Sequence, residues 1–212
     1  MTARAAADSC TPCYPNGLTR LLLQALEETL GPASLADVLR AAGLAEWLRH
    51  RPPLNAEQQV PFGQISTLLQ ALETLYGASG LGLAQRAGCA CFRRGLDEFG
   101  AQTALASLDF RLLPLGRKLR ATVEVLAGLL NQHGDQQVRL EEEDGRLIWQ
   151  DSRCPLCWGR RAAAPCDHLT VGFLQESLYW ASGGRHFAVT QTRCAAAGDD
   201  VCSFVIEKKA LD

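Results

Sequence analysis

Five cysteines crowd the C-terminal part of this 212-residue chain: Cys154, Cys157, Cys166, Cys194 and Cys202. Zinc favours thiolate and imidazole donors in a tetrahedral array, and two cysteines two residues apart can grip one ion from a tight turn. Cys154-Pro-Leu-Cys157 has that spacing, and Cys166 follows nine residues later. Cys194 and Cys202 stand on two apolar stretches joined by a short turn, where antiparallel pairing sets them side by side. The pattern points to a structural zinc site made from four or five of these thiols, with His168 as a further nitrogen donor. Two alternatives stay open: Cys194 and Cys202 as small core residues, and redox chemistry. The latter lacks the strand-then-helix setting that a thioredoxin-like C-x-x-C requires. Cys10 and Cys13 form a second C-x-x-C near the N-terminus, read as without function, and Cys89 and Cys91 read as buried helix residues.

Catalytic constellations are missing from the sequence. It holds no G-x-S-x-G elbow, phosphate-binding loop or H-E-x-x-H, and Gly80-Leu-Gly82 lacks the third glycine and the strand of a dinucleotide site. His50, His133 and His186 read as surface residues of loops or element ends. Glu176, on an apolar helix, reads as a paired structural carboxylate before a general acid. No reaction is specified, so the chain reads as a binding module and not as an enzyme.

The elements that must position these residues fall into two parts. Up to residue 133 the chain reads as helices. Leu18, Leu21, Leu22, Ala25, Leu26 and Leu30 share one helical face, stopped by Gly31-Pro32. Further helices are expected from Ser34 through Trp47, along the stripe from Ile65 to Tyr76, and from Gly80 to Phe99. A last one, Ala104 to Gln132, is interrupted at Pro114 and Gly116. From about Gln136 the period changes to two. Val138–Leu140 and Leu147–Trp149 flank the hairpin signal Asp144-Gly145, Leu169–Ser182 is an apolar helix, and Phe187–Thr192 and Val201–Ile206 are strands. The expectation is an α+β fold: a helical layer on an antiparallel sheet of about four strands, with residues 1–16 a flexible segment and 17–212 a single domain (17–133 mainly helical, 134–212 strand-helix-strand).

Composition is that of a globular protein: 47% hydrophobic residues, formal charge −2, and no broad basic face for nucleic acid. No apolar run approaches the roughly 20 residues that span a bilayer, and the N-terminus lacks the apolar core of a secretion signal. The expected setting is the cytoplasm, without nucleic acid or a membrane span.

The C-terminal motif resembles the 4-vinyl reductase-type domain, a family also described as hydrocarbon-binding. The likeness rests on Cys154-Pro-Leu-Cys157-Trp-Gly-Arg160, Gly172-Phe-Leu-Gln-Glu176 with Trp180, Arg193-Cys194 to Gly198-Asp199, and Val201-Cys202-Ser-Phe204. Tyr14-Pro-Asn16, Leu30-Gly31 and Val60-Pro-Phe62 extend it over nearly the whole chain. It implies a fold similar to Golgi transport-particle subunits, a homodimer, and a pocket for a small apolar or aromatic molecule, as in the sensor domains of phenol-responsive bacterial activators. It also implies zinc on Cys194 and Cys202, with a third cysteine near Cys166; where those sensors carry a ligating glutamate this chain has Gln191. Candidate pocket residues are Phe92, Phe110, Trp149, Trp158, Phe173 and Trp180. The reading is a sensory module with a structural zinc; the rivals are a tetrapyrrole 4-vinyl reduction enzyme or accessory, and an assembly subunit.

Overall fold

The computed structural model describes residues 11–212. The chain opens with a short strand, β1 (Cys13–Pro15), followed by helices α1 (Asn16–Leu30) and α2 (Pro32–Ala41) and a 3-10 turn at Ala45–Leu48. A second strand, β2 (Gln58–Pro61), pairs antiparallel with β1. It leads into α3 (Phe62–Tyr76), α4 (Ala78–Phe99), the single turn α5 (Leu108–Leu112) and α6 (Leu115–His133). The remainder comprises β3 (Val138–Glu143), β4 (Arg146–Asp151), α7 (His168–Ser182), β5 (Phe187–Arg193) and β6 (Cys202–Ala210). The α+β class and the four-stranded antiparallel sheet stand as expected; the strand order is β3-β4-β6-β5. The β1–β2 pair was not anticipated, because each strand is too short to show a period-two pattern.

Local chemistry explains most boundaries. Pro15 and Pro61 cap α1 and α3 in extended backbone, and Pro32 opens α2, where a missing N–H does no harm. Asp144 and Gly145 both take positive φ, +49° and +76°, which closes the β3–β4 hairpin in the tight turn favoured by that dipeptide. At the other end of the same hairpin, the Asn131 side chain from α6 accepts from Val138 N at 2.7 Å and donates to Val138 O at 2.8 Å, which fixes where β3 begins.

The centre of the fold is the crossing of α4 with α7. A Cβ at Gly88 would lie 2.0 Å from Leu169 O, and one at Gly172 would lie 1.9 Å from Gln85 O. The two backbones therefore touch, and only glycine fits at either position. Gln85 Nε2 donates to Gln175 Oε1 at 2.7 Å, and the Cys89 thiol donates to Gly172 O at 3.3 Å across the same contact. The inner face of the sheet, with Leu147, Trp149, Phe204 and Ile206 all buried, packs against these helices in one continuous core.

Candidate functional site

A cavity of about 450 Å³ lies between α1, α4, α6 and α7 on one side and β4 and β6 on the other. Its walls are apolar: Leu22 from α1, Phe92 and Phe99 from α4, Leu126 from α6, and Phe173 from α7. The floor is the cross-strand pair Trp149–Phe204, directly opposite each other in the β4–β6 register and both fully buried. Of the residues expected to line a pocket, Phe92, Trp149 and Phe173 do face this cavity. Phe110 and Trp180 instead stack on each other, centroids 5.7 Å apart and planes 12° off parallel, along a second, more open groove with Lys118 and Arg185. Trp158 borders neither space; it meets Phe62 edge-on and is 39% exposed.

One end of the cavity is polar, and the sequence reading passed over it. Tyr14, Gln136 and Asp151 line that end. β1 is tied there by Cys13 N, which donates to Asp135 Oδ2 at 2.8 Å, so Tyr14 is brought next to the start of the sheet. Burial raises the Tyr14 phenol well above its ordinary value. Asp151 occupies an inward position of β4, after Leu147 and Trp149, where alternation calls for an apolar residue; that break was the available signal. Burial pushes its carboxyl up to about 7, with Cys154 adding to the effect, although it accepts hydrogen bonds from Gln136 Nε2 at 2.8 Å and Arg153 N at 2.9 Å. For Gln136 no sequence signal existed. It follows the last helix turn and reads as an ordinary loop residue.

The five C-terminal cysteines come together in the fold, all buried and none in a disulfide. The Sγ atoms of Cys154, Cys157 and Cys202 lie within 4.8 Å of one another, and so do those of Cys157, Cys166 and Cys194. Cys157 and Cys194 are 3.6 Å apart and Cys166 and Cys194 are 3.8 Å apart. The contacts bias the thiols in opposite directions: Cys157 and Cys166 hold Cys194 below an ordinary thiol, Cys157 and Cys202 lower Cys154, and Cys154 and Cys166 push Cys157 up. Asp167, the N-cap of α7, accepts from Thr170 N at 2.9 Å and from the Cys154 thiol at 3.5 Å. His168 opens α7 one residue later and stands outside both thiol groups. Gln191 Oε1 takes the Asp167 backbone N–H at 2.8 Å.

Cavity and cluster share a wall. Pro155 and Leu156, between Cys154 and Cys157, line the cavity, and Asp151 faces Cys202 across the β4–β6 ladder. The other cysteines lie apart. Cys91 borders the cavity, its thiol pushed up to about 12 by burial. Cys89 faces α7, and Cys10 falls outside the described residues. Glu176 pairs with Arg93 of α4 at 3.0 Å. His50 is exposed, His133 ends α6 at the cavity rim, and His186 stacks beside Tyr179, ring centroids 4.8 Å apart.

No protein-family model and no curated protein matches this sequence. Solved structures do match in shape. The Fe(II) unliganded H-NOX protein from K. algicida superposes with a TM-score of 0.59 at 11% identity, covering 92% of this chain and 97% of that one. An H-NOX protein from S. oneidensis in the Fe(II)NO ligation state gives 0.59 at 11% identity, covering 92% and 99%. An oxygen-binding H-NOX domain related to soluble guanylate cyclases gives 0.57 at 11% identity, covering 91% and 93%.

Two expectations are corrected by these matches. The chain's neighbours in shape are H-NOX domains and not 4-vinyl reductase-type domains, so the resemblance read from the cysteine and Gly-Asp spacing does not hold. Its physical reason is local: Cys194 directly follows β5 and Cys202 begins β6, so this spacing is set by the connection between two paired strands, in which Gly198 takes φ +106°. The zinc cofactor is overturned as well, because the metal named in the neighbours is iron and the described residues offer nothing toward zinc beyond the thiol cluster.

Haem, named in structures of that fold, does not suit the cavity. A haem needs an axial donor and partners for two propionates. Among the described lining residues no Lys or Arg is present, the one interior acid is Asp151, Tyr14 and Cys91 are kept neutral by burial, and the single imidazole, His133, sits at the helix end. The chain has the H-NOX fold, with a cavity whose residues are not those of a haem site.

Proposed function

We propose that the chain is a small-molecule sensory domain in which a neutral, apolar or aromatic molecule enters the cavity directly, in place of a prosthetic group. The carrying observation is the cavity itself: about 450 Å³, walled by Phe92, Trp149, Phe173 and Phe204, with no cationic side chain among the described lining residues. Apolar enclosures of a few hundred Å³ with a few polar groups at one end are the usual form of small-molecule sites. A signalling role is supported by the fold and by the shared wall, since a ligand that presses on Leu156 also presses on the loop between Cys154 and Cys157. The free thiols of the cluster agree with a reducing compartment such as the cytoplasm.

Indene, a flat apolar probe without polar atoms, tests the reading. At about 100 times its dissociation constant a ligand of the native state stabilises it by about 2.7 kcal/mol, a rise in Tm of roughly 5–10 °C for a chain of this size. Gly95→Phe fills the cavity from α4, where the nearest atom to an added Cβ is the Leu21 side chain at 3.9 Å. Indene is expected to stabilise the native chain and not this variant. Equal shifts in both, or none in either, would overturn the proposal.

A further inference from the structure

We infer that the ligand carries a hydrogen-bond donor, and that the Gln136 side-chain carbonyl at the polar end of the cavity is the group that reads it. The inference rests on the cavity reading above and deepens it.

Gln136 is 9% exposed, lines the cavity, and spends its amide nitrogen on Asp151 Oδ2 at 2.8 Å. Its carbonyl oxygen is buried and has no hydrogen-bond partner among the described residues. A buried acceptor left in this state has given up its hydration without return, and native proteins leave few of them. With Asp151 ionised, above about pH 7, both of its oxygens accept, Oδ1 from Arg153 N and Oδ2 from Gln136, so the NH₂ end turns to Asp151 and the carbonyl end away from it. Gln136 lines the same cavity as Trp149 and Phe204, so a molecule held there is the available partner for this oxygen. Everything else about the cavity narrows the same ligand. Aromatic walls favour a flat ring, and a buried Asp151 with no Lys or Arg beside it disfavours an anion. The class is a neutral aromatic molecule with one N–H or O–H.

Indole and indene differ at one ring atom, N–H against CH₂, and so isolate the donor. One hydrogen bond to an otherwise orphaned acceptor corresponds to about tenfold in affinity. In calorimetric titrations indole is expected to bind the native chain about tenfold tighter than indene, and Gln136→Met is expected to bring the two within about twofold of each other. In the native chain the Gln136 side-chain amide resonances should move with indole and stay with indene, a readout that does not depend on the variant folding. If both probes bind the native chain equally, the donor inference fails and the cavity reading stands. If the preference survives in Gln136→Met, or the Gln136 resonances ignore indole, another group reads the donor and the inference is overturned. If neither probe binds, the cavity reading fails and takes the inference with it.

Discussion

Asp151 is the residue at which the cavity and the thiol cluster meet, and its ionisation couples folding to pH. Burial lifts its carboxyl from 3.8 to about 7, so the folded chain holds a proton that the unfolded chain releases near pH 4. Stability from a raised carboxyl is complete below the unfolded value and is lost as pH rises through the folded one. Unfolding free energy is therefore expected to fall between about pH 4 and pH 7, by on the order of 3–4 kcal/mol if Asp151 acts alone, and to level off above that. Asp151→Asn should flatten this part of the profile, as read by urea titrations at pH 5 and pH 8; an unchanged slope would show that Asp151 is not the titrating group. This residue was partly legible, since an acid after Leu147 and Trp149 breaks the inward alternation of a strand. Gln136 was not, because its importance comes from a missing partner, and partners separated by fifteen positions leave no local trace. The five cysteines were legible as a group from their spacing, and the fold gathers them; what spacing misjudged was lineage and cofactor, since thiol pairs on a hairpin look alike whatever family supplies them.

At the scale of elements, the crossing of α4 and α7 carries the sharpest expectation. Gly88 and Gly172 allow the helix backbones to touch, and a methyl at either would press on backbone carbonyls within about 2 Å, which cannot yield as a side chain can. Gly172→Ala is expected to destabilise the domain by about 3 kcal/mol or more, against a gain of up to about 1 kcal/mol for the same change at an unconstrained helix position. Gly82→Ala is the control, because an added Cβ there meets nothing within 4 Å. Thermal unfolding that ranks both alanine variants alike would refute the close crossing. Most helices and the four long strands were readable in advance, because each has caps, breakers or a clean period: Gly31-Pro32, Gly77, Asp144-Gly145 and Gly183 mark their limits. The helix crossing was not. A glycine inside α4 or α7 reads only as a weak helix former until its partner backbone is known. For the same reason the β1–β2 pair stayed hidden, since β1 is held by β2 and by Asp135, which lies 122 positions from Cys13.

At the scale of the whole molecule the fold is that of H-NOX proteins, in whose structures haem is named, while the residues around this cavity are not suited to haem. Adding hemin to the purified chain is expected to give the broad absorbance of loosely adsorbed pigment, with no one-to-one complex. A sharp Soret band at one equivalent that disappears in His133→Ala would show axial ligation and reverse that conclusion. The general architecture was legible because periodicity and turn residues specify layers; the cavity was not, since an internal void arises from how α1, α4, α6 and α7 sit on the sheet, and aromatic residues on apolar faces look the same whether they fill space or border it. Phe92 borders it, while Phe110 and Trp180 turn to each other. A neutral molecule that occupies this space directly will show itself in the bromine anomalous signal of crystals soaked in bromobenzene. A peak enclosed by Phe92, Trp149 and Phe173, and lost in Gly95→Phe, is expected; a peak only in the Phe110–Trp180 groove, or none within the protein, would mean that the cavity does not take such a molecule.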